Sequence, residues 1–291
     1  MRDIIDLMEE GKVRRYFRAR DKLSFEGAIS HVTQHASGAE PLFLEGSDYL
    51  YMLHLIKKIC KKFKISIFCF CLMLNHIHLL IKLGTENLSE SMKILFQGYA
   101  QYFNKKYDRK GHVFSGTYRS ALCFDERYLL AASLYIHLNP VKKKLVTNPA
   151  SYRWSSCALF LNNVNIDTFI DYKYVLGILD NDISVAHIKY KKLLERVEVE
   201  RIKGILDQPK ALEYIVELIP SEELNNDHDV LFSGKLDEKI QDMKNRGRLI
   251  KPEDIRARRF LIKQLKSRGF NMTEIAQKLN LSRKTIHKTL K

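Results

Sequence analysis

The sequence predicts an α+β fold, an antiparallel sheet flanked by helices and followed by an all-α C-terminal region. Three observations predict it. The apolar run from Ile65 to Leu83 is rich in β-branched and aromatic residues, the composition of paired strands. Segments with helical spacing lie on both sides of that run. From Tyr172 onward the pattern is helical.

Taken in order, Ala28-Ile-Ser-His-Val-Thr-Gln predicts a first strand. Pro41 and Gly46 bracket a short loop. Ser47 is placed to cap a helix from Asp48 to about Phe63, with Leu50, Leu53, Ile56 and Ile59 at helical spacing. Ile65–Leu83 divides into two antiparallel strands that turn near Leu74-Asn75, and Gly84-Thr85 closes it. Ser89 to Tyr107 is a second helix, leading into a basic loop from Lys105 to Gly111. His112 to Phe124 is a hairpin or extended stretch. Asp125 to about Leu138 is a third helix, ended by Asn139-Pro140 because the residue before proline avoids helix. Ser184–Leu206 and Lys210–Leu218 are amphipathic stretches separated near Pro209. Asn225 to Asp229 is a loop.

The 291 residues suffice for a full core and a second module, and the hydrophobic fraction of 45% indicates a globular chain. The formal net charge of +15 points to a polyanionic partner, most simply nucleic acid. That charge is uneven: +9 over residues 1–175, −5 over 176–234 and +11 over 235–291. Four segments follow: an N-terminal extension (1–24), the α+β domain (25–175), an acidic helical linker region (176–234) and a basic C-terminal domain (235–291). Five cysteines, an odd number without C-x-x-C spacing, fit a reducing compartment, with Cys69 and Cys71 on one strand face in the core. The N-terminal Met1-Arg-Asp-Ile-Ile-Asp lacks the pattern of a signal peptide. Ile65–Leu83 is long enough to span a bilayer, but Asn75, His76 and His78 near its centre are costly in lipid and argue against it. The expected location is cytoplasmic, at the nucleoid.

Asn75-His76-Ile77-His78 carries the chemistry. Strand side chains alternate, so His76 and His78 share a face while Ile77 points to the core. Two imidazoles on one rigid face form half of a divalent-metal site, although from spacing alone they fit a packing role as well. Tyr99, Tyr102, Phe103 and Tyr107 form an aromatic stripe at helical spacing, with core packing the default and base stacking the rival.

Cys71-Leu-Met-Leu-Asn-His-Ile-His-Leu-Leu-Ile resembles the metal-binding HUH strand (His, hydrophobic, His) of single-tyrosine transposases. Tyr102-Phe-Asn-Lys-Lys, Gly111-His-Val-Phe, Tyr135-Ile-His-Leu-Asn-Pro-Val-Lys and Tyr152-Arg-Trp-Ser-Ser follow in the order of the REP-associated tyrosine transposases. The resemblance covers about residues 25–160 and implies a ferredoxin-like HUH domain. It departs at Leu74, Ser30 and Thr117, where the family commonly has proline, tyrosine and arginine.

The resemblance implies Tyr135 as nucleophile, with Tyr102 as the fallback. Asn139, four residues on and so on the same helix face, is implied as third metal ligand beside His76 and His78. An amide oxygen suits Mg²⁺ or Mn²⁺. Tyr135 is then expected to attack a phosphate of single-stranded DNA at a hairpin, forming a 5′-phosphotyrosine and a free 3′-hydroxyl. A phenol of pKa near 10 leaves far more readily than an aliphatic alcohol, so a DNA 3′-hydroxyl can rejoin the strands. His137, about 200° around the helix from Tyr135, is expected to face away in a structural role. His31 and His112 are likewise expected to be structural. Lys105, Lys106, Arg109, Lys110 and Arg119 are candidate DNA contacts.

Asn271 to Leu290 has the pattern of a helix-turn-helix. Thr273 starts a short helix with Ile275, Ala276 and Leu279 inward, Asn280-Leu281 turns, and Ser282 caps a helix with Ile286 and Leu290 inward. Phe260, Ile262 and Leu265 belong to a preceding basic helix. Arg283, Lys284, Thr285 and Lys288 are the candidate contacts to double-stranded DNA. Two rival functions stand beside the transposase: a non-catalytic regulator that binds hairpin and duplex, and a relaxase-like nickase. Monomer and homodimer are both compatible.

Overall fold

The computed structural model describes residues 26–38, 40–85, 87–123, 126–162, 166–204, 208–225, 258, 259, 262, 265 and 271–290. The extension 1–24, most of the 225–229 loop, Phe260 and the start of the basic C-terminal segment lie outside them. The chain divides into two compact units. The larger spans 24–118 and 122–236, and the helices of 271–290 belong to the smaller.

Strands β1 (Ile29–His35), β2 (Ser66–Met73), β3 (His76–Lys82) and β4 (Arg119–Leu122) form one sheet in the order β2-β3-β1-β4. β3 pairs antiparallel with both neighbours. β2 and β3 are joined across Leu74-Asn75, the expected turn, so Met73 pairs with His76 and Cys71 with His78. On the other side Thr33 lies opposite His78 and His35 opposite His76. Ile77, Cys69 and Cys71 are fully buried. Among the described residues of the 112–124 stretch, the extended structure is β4 and an isolated antiparallel bridge from Phe114 to Ala36.

Helix α1 (Gly46–Phe63) starts two residues earlier than its sequence suggests. Glu45, not Ser47, is the N-cap, in a capping box with Asp48. The buried stripe is Tyr49, Met52, Leu55, Ile56, Ile59 and Phe63, while Leu50 is 56% exposed. The aromatic contacts explain the shift, because the Tyr49 ring stacks between Phe43 (4.1 Å) and Trp154 (4.2 Å). α1 ends on Lys64 in the left-handed region (φ 52°). Helix α2 (Leu88–Lys106) packs on α1. Of its aromatic stripe, Tyr99 and Phe103 are core, and the Tyr99 hydroxyl donates to the Leu42 carbonyl.

Helix α3 (Glu126–Lys142) runs straight through Pro140 instead of ending before it. Residues 128–140 are all buried. The segment after Tyr152 acts as an edge to β2: Leu72 N–H donates to the Trp154 carbonyl (2.9 Å) and Ser156 N–H to that of Phe70 (3.1 Å). Beyond it come α4 (Cys157–Leu161), α5 (Tyr172–Gly177), α6 (Ile183–Arg196), α7 (Val199–Gly204) and α8 (Gln208–Glu217). The amphipathic stretch expected over Ser184–Leu206 is broken at Val197, whose extended backbone ends α6. These helices, from the segment expected to be a linker, pack on α3. Arg127 on α3 donates to the carbonyls of Val216 (2.9 Å) and Ile219 (2.7 Å) at the end of α8, a C-terminal cap.

His137 is structural, as expected. It is fully buried, with Nδ1 2.8 Å from the Tyr190 hydroxyl on α6 and Nε2 2.9 Å from Ser156 Oγ. Burial holds it near pKa 3, well below the ordinary 6.5, so it is neutral. A group depressed in the folded state contributes stability above its unfolded pKa and loses it as pH falls. His137→Leu should therefore lower unfolding free energy by about 1–3 kcal/mol at pH 7.5, leaving Tyr190 and Ser156 short of a partner. In urea titrations the gap to the parent should narrow as pH falls from 6.5 toward 3. Gly84 is needed for a different reason, since a Cβ there would lie 2.1 Å from the Lys64 carbonyl oxygen. Gly84→Ala should cost about 1–3 kcal/mol in the same assay.

Candidate active site

β3 and α3 build the site. His76 (5% exposed) and His78 (3%) share one face of β3, their rings 4.9 Å apart between centroids and nearly perpendicular. The neighbouring strand closes in on both. His35 stacks on His76 at 5.1 Å, and His31 lies 5.1 Å from His78. His76 Nδ1 is 2.8 Å from Asn75 Oδ1. His78 Nδ1 is 3.0 Å from His31 Nε2 and 3.3 Å from Thr33 Oγ1. His78 Nε2 is buried with no hydrogen-bond partner among the described residues.

α3 supplies the opposing wall. The Tyr135 ring meets His78 edge-on at 5.9 Å and His31 at 6.2 Å. Asn139, one turn on, donates its amide N–H to the Tyr135 carbonyl at 2.8 Å. That contact engages the amide nitrogen, so the amide oxygen is the atom that could hold a cation. Asn139 also interacts with the His76 ring, which favours its protonated form. Lys142, seven residues after Tyr135 and so on the same helix face, places Nζ 5.4 Å from the centre of the Tyr135 ring.

The electrostatics keep both imidazoles neutral. Burial above all, then His35, Lys143 and Lys142, pushes His76 down to about 3. Burial, then the neighbouring histidines and Lys142, holds His78 well below 6.5. Burial and then Lys143 lower Lys142 from the usual lysine range. Neutral imidazole is the metal-binding form. The unpartnered Nε2 of His78, the His76 ring and the Asn139 oxygen together make a nitrogen- and oxygen-donor set that fits a divalent cation. Among the described residues no three His, Cys, Asp or Glu side chains are grouped to hold a metal, so such a site depends on the Asn139 amide.

Other predicted residues have other partners. The Tyr102 hydroxyl donates to Asp48 Oδ1 (3.0 Å), and its ring stacks on Tyr51 (3.8 Å). Asp48 is fully buried and also accepts from the Leu44 (2.8 Å) and Glu45 (3.1 Å) amides, the Tyr107 hydroxyl (2.8 Å) and Lys106 (2.7 Å). Lys106 is thus ion-paired with Asp48 and Glu45, and Arg109 with Glu40. Lys105 is exposed on the rim of a groove of about 700 Å³ between α1 and α2, Lys110 is exposed in the following loop, and Arg119 opens β4. His31, Thr33, His35 and Lys142 are the site residues that the sequence reading did not assign to it. The i, i+4, i+7 spacing of Tyr135, Asn139 and Lys142 was the one local signal for any of them.

In the smaller unit, α9 (Met272–Leu279) and α10 (Arg283–Leu290) are joined by a turn with Asn280 in the left-handed region. Asn271 caps α9, ahead of Thr273, in a capping box with Glu274. Ile275, Leu279 and Ile286 are buried, whereas Ala276 is only half-buried. Arg283, Lys284, His287 and Lys288 are exposed. The Thr285 amide donates to Ser282 Oγ (3.1 Å), and its hydroxyl lies 2.9 Å from the same atom, so Thr285 completes the cap.

No helix among the described residues is long and apolar enough to cross a membrane. No curated protein matches the chain. It is similar to a solved structure described as a REP-associated tyrosine transposase bound to a REP hairpin. The identity is 17% and the TM-score 0.43, over 52% of this chain and 90% of that one, a likeness too low to carry weight. Residues 40–139 match the family model "Transposase IS200 like". That span, about a third of the chain, contains His76, His78, Tyr135 and Asn139.

Proposed function

We propose that the chain is a metal-dependent single-strand DNA transposase whose nucleophile is Tyr135 and whose metal ligands are His76, His78 and Asn139. The observation that carries this reading is the packing of Tyr135 against His78, whose buried Nε2 is left unpartnered, inside the segment matched to the transposase family. Mg²⁺ or Mn²⁺ bound there would polarise a phosphate oxygen. The remaining chemistry belongs to the side chains. His76, His78 and Asn139 contribute no charge of their own. Lys142 offsets the phosphate charge and stabilises the phenol oxygen as it gives up its proton. Tyr135 then bonds to phosphorus, the deoxyribose 3′-oxygen leaves as a hydroxyl, and the 5′-phosphotyrosine ester keeps the bond energy for a second strand. Burial of the Tyr135 ring limits water as the competing acceptor. A hairpin substrate is the expectation carried by the motif order.

The test mixes the full chain with end-labelled hairpin and unstructured oligonucleotides and Mn²⁺, followed by denaturing gels and mass spectrometry. An adduct on Tyr135 is expected. Tyr135→Phe should reduce it by about 10⁴-fold or more while hairpin binding persists. His76→Ala with His78→Ala should abolish metal-dependent cleavage. An adduct on Tyr102 would overturn the site, binding without any adduct would favour the regulator, and cleavage without rejoining would favour the nickase.

For α9–α10 we propose duplex binding through Arg283, Lys284 and Lys288 at the start and outer face of the second helix. Their exposure, with His287, beside the buried Ile275, Leu279 and Ile286 supports this. Phosphate contacts release counterions. Arg283→Ala or Lys284→Ala in the full chain should therefore weaken duplex binding and reduce the slope of log K against log salt by about 1 each. An unchanged slope in fluorescence-anisotropy titrations would remove them from the interface.

A further inference from the structure

We infer that Asn75, His31 and Thr33 are positioning residues that hold His76 and His78 as Nδ1–H tautomers, leaving the Nε2 lone pair of each ring available and that of His78 without any protein partner among the described residues. This deepens the metal-ligand role proposed for the two histidines and rests on that reading for its purpose. Its geometry stands separately.

At His76 the chemistry of the partner decides the proton. The Asn75 side-chain oxygen can only accept, so the ring nitrogen 2.8 Å away must carry the hydrogen. A neutral imidazole holds one such hydrogen, and the Asn139 side chain is the competing partner at this ring; with the hydrogen drawn to the Asn75 side, Nε2 is left as the acceptor. Asn75 occupies the two-residue turn before β3, so the turn that starts the strand also orients its first ring.

At His78 two assignments compete. With the hydrogen on Nε2, the ring would bury an N–H that has no acceptor among the described residues. With it on Nδ1, the N–H donates to His31 Nε2 at 3.0 Å, with Thr33 Oγ1 at 3.3 Å as a second acceptor. Only a lone pair is then left without a partner. Orphaned buried N–H groups are the rarer and costlier case, so the second assignment wins. It also fixes His31, whose Nε2 must accept and whose hydrogen must sit on Nδ1. The strand register supplies this support, because Thr33 is the direct cross-strand partner of His78 and His31 lies two residues along on the same face. Such outer partners of a metal-binding histidine set its tautomer and orientation.

The test is a long-range ¹H–¹⁵N correlation experiment on the full chain, metal-free and labelled at histidine. The expected result is hydrogen on Nδ1 at His76, His78 and His31. Asn75→Leu should release His76 toward the Nε2–H form, and Asn75→Asp, which keeps the acceptor, should not. His31→Phe combined with Thr33→Val should release His78. Mn²⁺ affinity should fall about 10–100-fold in Asn75→Leu and be retained in Asn75→Asp. Nε2–H rings in the parent protein would overturn the inference without recourse to any variant, and an unshifted His76 in a folded Asn75→Leu would remove Asn75 from it. Nδ1–H rings in a parent protein that fails to bind Mn²⁺ would keep the inference and overturn the metal reading instead.

Discussion

The pairing of β1 with β3 is the constraint on which the site depends. It sets Thr33 against His78 and His35 against His76. Side chains alternate along a strand, so a slip of one residue would turn Ile77 toward Tyr135 and drive both histidines into the apolar core. Ile77, Leu79 and Ile81 are all fully buried, and their burial resists that slip at about 1.5–3 kcal/mol per side chain. The polar residues on the other face are almost as buried, yet they hydrogen-bond one another across the strands. The same register thus packs one face and satisfies the other.

α3 is the second constraint, and it works against a local rule. Pro140 lacks an N–H, so the Ile136 carbonyl loses its helical partner, and proline inside a helix costs about 3 kcal/mol. Burial outweighs this. Leu130, Leu134, Ile136 and Leu138 are each at most 4% exposed, and together they are worth more than the penalty even after allowance for a compact unfolded state. The helix therefore continues to Lys142. That extra turn keeps Asn139 in helical phase with Tyr135 and brings Lys142 back over the Tyr135 ring. Had the chain left the helix at Leu138, neither residue would be aligned with Tyr135 by the helix.

These two constraints explain what the sequence could disclose. The β2–β3 hairpin, the shared face of His76 and His78 and the inward turn of Ile77 follow from period-two alternation, which is a local property. So does the structural role of His137, read from its angle around the helix. The long-range features are different. The buried stripe of α1 is set by Phe43 and Trp154, and Trp154 is more than 100 residues from Tyr49. Lys106 and Arg109 look like free cations in sequence, but the acids that engage them lie near residues 40–48. His31 and Thr33 join the site only through strand register, which hydrophobic pattern alone does not specify to the residue. At Pro140 a local preference meets a buried helix and loses.

The charge of the site argues for what completes it. His76 and His78 are neutral, Asn139 carries no charge, and Lys142 and Lys143 act on the imidazoles as positive neighbours. Among the described residues no carboxylate stands in a metal-binding group with these histidines. Asp48, the deepest carboxylate described in the larger unit, already has Lys106 as its counter-ion. Under the proposed function, negative charge at the Tyr135 face arrives with the substrate. An anionic phosphate meets that requirement, and a neutral substrate does not. In a low-dielectric pocket the difference is large, because each unscreened positive charge raises the cost of leaving the site empty of anion. On that proposal, the two lysines beside the neutral ligand set favour an anionic substrate by charge before any base is read.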